Sequence, residues 1–159
     1  MGFEFTDDAT DFFQRIGVKR TGAAKRKSNT GYFGNMLEAY WICVQIGIKH
    51  DEHSLPEKSR EFVRDLNPIS EEKRDDLIAG LGFYYHCKRE GIHKSGSKDD
   101  VLGEMGKFFS EKHQELGDEG CNLFNGYANG GFNLLYSLTG DSCNELADVL
   151  VQCYELLSE

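Results

Sequence analysis

Through most of the chain apolar residues recur at steps of three and four, and that spacing predicts helices. From Asp7 to about Ile16, the residues Ala9, Phe12, Phe13 and Ile16 share one face. Asp7 and Asp8 complement the N-terminal dipole there, and Gly17 supplies a stop. A second helix is predicted from about Tyr32 to Ile46, with Phe33, Met36, Leu37, Tyr40, Trp41, Val44 and Ile48 at helical steps and Gly47 as its terminator. Pro56 suits the first turn of a short third helix that buries Phe62, Val63 and Leu66, and Pro68 prevents its continuation. Ser70 is the predicted cap of a fourth, "EEKRDDLIAGLGFYYHCKREG", which starts acidic and ends on Lys88 and Arg89.

The segment His93–Lys98, "HKSGSK", reads as a solvated loop, because Gly and Ser resist both helix and strand. A fifth helix follows from about Asp99 to Leu116, and a sixth from about Glu119 to Leu138. The sixth contains "NGYANGGFNLLY"; its Gly126 and Gly130 are four apart, so on a continuous helix they line one stripe and admit another backbone closely. The alternative is a break at Gly130 and Gly131. For the last helix Ser142 and Glu145 make a capping box, ahead of an apolar face of Leu146, Val149, Leu150, Cys153, Leu156 and Leu157. No sustained Val/Ile/Thr alternation predicts a sheet. The expectation is an all-α fold, a compact bundle of about six or seven helices in a single domain over residues 1–159.

Composition agrees with a packed domain. A chain of 159 residues buries on the order of 70% of its extended surface, and the 28% charged and 39% hydrophobic content is that of a globular protein. The strongest apolar run, "YWICV", falls far short of the roughly 20 residues that cross a bilayer. The N-terminus is acidic and has no apolar secretory core, so a cytoplasmic location is expected. Five widely spaced cysteines, Cys43, Cys87, Cys121, Cys143 and Cys153, suit reduced thiols packed as small hydrophobes rather than a disulfide framework.

Charge changes the picture most. The chain carries a formal net charge of -9, and residues 101–159 hold 2 basic and 10 acidic side chains. A field of that sign opposes coating of DNA and favours a basic protein partner, with Glu145, Asp148 and Glu155 as contact residues. Against this background Lys19, Arg20, Lys25, Arg26 and Lys27 form a local cationic cluster, suited to backbone phosphate or to an acidic partner surface. "TGAAKRKS" is not a phosphate loop, since Ala24 precedes Lys25 and Arg26 follows it where Gly and Ser or Thr are required.

No catalytic signature is present. His50 with His53, His86 with Cys87, and nearby His93 are fragments of a metal-ligand pattern, but neither a CxxC nor an HExxH occurs, so no metal and no cofactor are expected. The aromatics of "FYYHC" and "YFGNMLEAYW" read as core packing first and as partner anchors second.

The segment "GYFGNMLEAYWICVQIGIKHDEHSLP", through Phe33, Met36, Tyr40, Cys43, Ile46 and Gly47, resembles a helix of small accessory proteins from bacterial DNA-phosphorothioation and related phage-defence operons. The resemblance covers about a sixth of the chain and transfers no catalytic residue. It implies a small non-catalytic helical subunit of a prokaryotic defence or DNA-processing complex. Three roles stay open: an accessory or adaptor subunit binding a larger protein such as an ATPase or nuclease; a module binding nucleic acid, weakly and without sequence preference, through residues 19–27; and an enzyme whose site assembles only in three dimensions.

Overall fold

The computed structural model describes residues 2–18, 36–63, 73–92, 96–109, 116–141 and 143–158. Among these the fold is mostly helical, with six helices, and it also contains a two-stranded sheet of β1 (Phe3–Thr6) and β2 (Ser59–Val63). The helices are α1 (Asp7–Arg15), α2 (Met36–His50), α3 (Lys73–Arg89), α4 (Lys98–Phe108), α5 (Asp118–Thr139) and α6 (Leu146–Ser158). The chain divides into two compact units, one of Met1–Phe3 with Val63–Phe124, the other of Glu4–Phe62 with Asn125–Glu159.

The sheet corrects the all-α expectation. In "FEFT", Phe3 and Phe5 are buried while Glu4 and Thr6 are half-buried, the period-two alternation of a strand with one covered face. The expected helix from Pro56 to Leu66 is instead strand β2 as far as Val63, and the remaining Arg64–Leu66 lie outside the described residues, as does Ser70. Long-range partners override the local pattern. Ser59 donates a short hydrogen bond to the Glu4 carboxylate, Arg60 Nε lies 2.7 Å from Asp7 Oδ1, and Phe62 packs on Phe5 and Tyr40 at 6.2 and 5.2 Å between ring centroids.

Helix α1 begins as its sequence predicts. Thr6 Oγ1 accepts from Ala9 N at 3.2 Å, Asp7 and Asp8 occupy the first turn, and the chain leaves at Gly17 with φ 92°. Its Phe12 and Phe13 join Phe5, Phe132 and Tyr136 in an aromatic core with centroid separations of 5.2–6.2 Å. Offset and edge-on rings at such distances add to the burial of their large apolar area. Inside the same unit Asn125 Oδ1 accepts from Tyr40 Oη at 2.8 Å and from Glu4 N at 2.9 Å, joining β1, α2 and α5 through one buried amide.

Helix α5 is continuous through its glycines, and of the expected pair Gly126 and Gly130 only Gly130 meets another backbone, since a Cβ on Gly126 would overlap the His53 imidazole. A Cβ on Gly130 would overlap the Glu52 carbonyl oxygen, and one on Gly131 would overlap the Cys43 carbonyl oxygen and lie 2.7 Å from Gly47 N. Gly47 therefore does not terminate α2. It sits within the helix, where a Cβ would overlap the Tyr127 carbonyl oxygen, and α2 runs on to His50 before Asp51 turns the chain at φ 55°. His50 Nε2 donates to the Leu156 carbonyl at 2.7 Å near the end of α6.

In the other unit α4 opens with a complete capping box: Ser97 Oγ accepts from Asp100 N, while Asp100 Oδ2 accepts from Ser97 N at 2.7 Å. Lys98 thus belongs to the helix and not to the loop expected over His93–Lys98, of which residues 93–95 lie outside the described set. The helix also ends earlier than the expected Leu116. Phe109 is extended, with φ -102° and ψ 152°, and pairs with Leu116 in an isolated bridge. Phe108 is thereby buried against Phe83 at 5.5 Å. All five cysteines are free and buried, as their sequence context predicts. Burial pushes the Cys153 thiol up to about 12 and raises Cys43 well above its ordinary value, so neither is an activated nucleophile.

Candidate functional site

Helix α6 separates two chemistries by angle. Val149, Cys153 and Leu156 are buried on one side. At 100° per residue the opposite arc holds Ala147, Asp148, Val151, Tyr154, Glu155 and Ser158, all exposed. Val151 is 54% and Tyr154 73% exposed, an apolar centre with Asp148 and Glu155 along one edge. Glu145 precedes the helix, is exposed, and offers its carbonyl to Val149 N at 3.4 Å. The helix starts at Leu146, so Glu145 is not the third helical residue that a cap at Ser142 requires; Ser142 itself lies outside the described residues.

The three predicted acidic contact residues thus share the α6 segment, and the structure adds the apolar Val151 and Tyr154 beside them. Their signal was available in sequence: both fall off the buried face defined by Val149, Cys153 and Leu156. Lys19, Arg20, Lys25, Arg26 and Lys27 lie outside the described residues.

A second constellation occupies the unit containing α3 and α4. His86 from α3, Glu104 from α4 and Glu119 from the first turn of α5 each bring one nitrogen or oxygen into a group whose atoms all lie within 4.8 Å of one another. His86 Nε2 is 2.9 Å from Glu104 Oε2, and the other carboxylate oxygen, Oε1, accepts from Lys107 Nζ at 2.5 Å. Hydrogen bonds from Lys107 first, and from His86 second, hold the Glu104 carboxyl below its ordinary pKa. Phe108 packs on the imidazole at 5.5 Å and Phe83 at 6.3 Å between ring centroids, and the ring is buried while Glu119 is exposed. Sequence singled out His86 but paired it with Cys87, its neighbour in the chain. Glu104 and Glu119 were not legible, being 18 and 33 residues further on in separate helices.

No protein-family model matches the chain, and comparison with curated proteins and with solved structures gave no match. Among the described residues no helix is long and apolar enough to cross a membrane.

Proposed function

We propose that the chain is a non-catalytic accessory subunit that docks onto a larger protein with a basic surface through the outer face of α6. The observation that carries this reading is the exposed Tyr154 and Val151 bordered by Asp148 and Glu155. A large aromatic surrounded by charge is the usual composition of an interface anchor and its rim. With 10 acidic against 2 basic side chains in residues 101–159, the field favours a cationic partner and speeds the encounter. The resemblance over residues 31–56 supports a prokaryotic defence or DNA-processing complex as the setting, with an ATPase or nuclease as the larger subunit.

The experiment is affinity isolation of the native partner followed by association kinetics over a salt series. The triple reversal Glu145→Lys, Asp148→Lys, Glu155→Lys should slow association by tenfold or more at low salt, in the range electrostatic steering provides, and flatten its salt dependence. Tyr154→Ala should chiefly speed dissociation, by the equivalent of about 1–2 kcal/mol or more. Unchanged rates in both variants would remove α6 from the interface.

A further inference from the structure

We propose that His86, Glu104 and Glu119 bind a divalent transition-metal ion, with Zn2+ the ion their donor atoms fit best, and that the ion ties together α3, α4 and the start of α5.

The geometry needs only side-chain adjustment. Ligand atoms placed about 2.0–2.2 Å from a tetrahedral Zn2+ stand roughly 3.4 Å apart. Here the three donor atoms already lie within 4.8 Å of one another, with His86 Nε2 and Glu104 Oε2 at 2.9 Å. An ion entering between them displaces the proton of that hydrogen bond, which moves to Nδ1 or leaves to solvent, and forms one coordinate bond to each atom. Glu119 then closes by rotation of an exposed side chain, without movement of the helices.

Two of the three donors are held in place beforehand. The imidazole lies against Phe83 and Phe108, and its side chain is only 10% exposed. Glu104 is fixed from behind: Lys107 holds Oε1, which leaves Oε2 directed toward His86. A cation partner on the distal oxygen orients a carboxylate ligand as outer-shell groups do in metal sites. His86, Glu104 and Lys107 form one hydrogen-bonded chain, and the Lys107 ammonium is attracted to Glu119 as well, so one cation already faces both carboxylates. Two carboxylates at this separation repel, and a divalent ion between them removes that repulsion.

The donor set selects the ion. One imidazole nitrogen with two carboxylate oxygens suits Zn2+ and its first-row neighbours, whereas Ca2+ and Mg2+ take oxygen ligands throughout. Three protein ligands leave a fourth position for water on the exposed Glu119 side, which is also the route of entry.

The test uses the full chain, stripped of metal with a chelator and then dialysed. Calorimetric titration with Zn2+ should give one site, and Co2+ in its place should develop visible d–d bands with an imidazole-shifted intensity. Zn2+ should also raise the unfolding temperature. Glu119 is exposed, so Glu119→Gln should leave the circular dichroism spectrum unchanged and weaken Zn2+ at least tenfold. His86→Gln should remove the Co2+ bands, whereas His53→Gln should preserve them. Absence of a stoichiometric site in the wild-type chain overturns the proposal. So does Zn2+ affinity unchanged in both Glu119→Gln and His86→Gln.

Discussion

Gly131→Ala should destabilise the protein, although the same substitution in an open helix stabilises. In a solvent-exposed helical position Ala is favoured over Gly by about 1 kcal/mol, through helix propensity and a less flexible unfolded chain. At Gly131 the added methyl would overlap the Cys43 carbonyl oxygen and stand 2.7 Å from Gly47 N. Ordinary heavy-atom contact begins near 3.5 Å, so α2 and α5 must separate by roughly 1.5 Å. Both obstructions are backbone, which no rotamer change can clear. Overpacking of this kind costs about 1–3 kcal/mol and sometimes more. Two backbone obstructions place the cost at the upper end of that range, and subtracting the helix-propensity gain of about 1 kcal/mol leaves a net loss of about 2 kcal/mol, a fall of roughly 1 M in the urea midpoint at a slope near 2 kcal/mol/M. Gly103→Ala is the control: it lies in α4, is exposed, and a Cβ there meets nothing within 4 Å. It should raise the midpoint. The two changes affect the unfolded chain alike, so their difference isolates the native packing. Urea unfolding followed by far-ultraviolet circular dichroism measures both. Equal midpoints for the two variants would refute the close helix contact.

Two further outcomes follow from particular side chains. Asn125→Leu should cost about 1–3 kcal/mol because the buried Tyr40 hydroxyl loses its acceptor, and adding Tyr40→Phe should recover part of that loss; strictly additive effects in urea unfolding would break the link between them. The hydrogen bond between Tyr136 and Asp141, with burial opposing at Asp141 and adding at Tyr136, raises the Tyr136 phenol above and holds the Asp141 carboxyl below its ordinary pKa. This contact therefore contributes fully from above the ordinary carboxylate range to about pH 10, and is lost as pH rises through the raised phenol value or falls through the lowered carboxyl value. Tyr40 and Tyr127 are fully buried, so the readout is a difference: Asp141→Asn should move one tyrosine of the tyrosinate absorbance titration to lower pH, and no change in that variant would count against the pairing.

Features set by neighbours in the chain are legible in the sequence alone. The Asp7–Asp8 start of α1, its stop at Gly17, the apolar face of α6 and the burial of all five cysteines follow from helical spacing, dipole complementation and side-chain polarity. The glycine stripe of α5 is legible in part: Gly130 meets backbone, whereas Gly126 meets the His53 side chain and Gly131, off that stripe, is the glycine against α2. The strands escaped because "FEFT" and "SREFV" are four and five residues long, too short for periodicity to outweigh the Pro56 signal. What made Ser59–Val63 a strand was the Glu4 carboxylate, Asp7 and the Phe5 ring, more than fifty residues away in sequence. Gly47 carried the same ambiguity: sequence marks it as a residue without a Cβ, and only the Tyr127 carbonyl against it decides between a helix end and a helix contact. The His86, Glu104 and Glu119 group belongs wholly to the tertiary level. Each residue reads alone as an ordinary helix side chain, and their shared chemistry arises only because three helices bring one donor atom apiece to the same point. Local sequence therefore determined the bounds of α1 and α5 and the buried faces of α1 and α6, because those depend on interactions three or four residues apart. Long-range packing decided the sheet, the crossing of α2 with α5 and the convergence of charge, because those depend on groups the chain order keeps far apart.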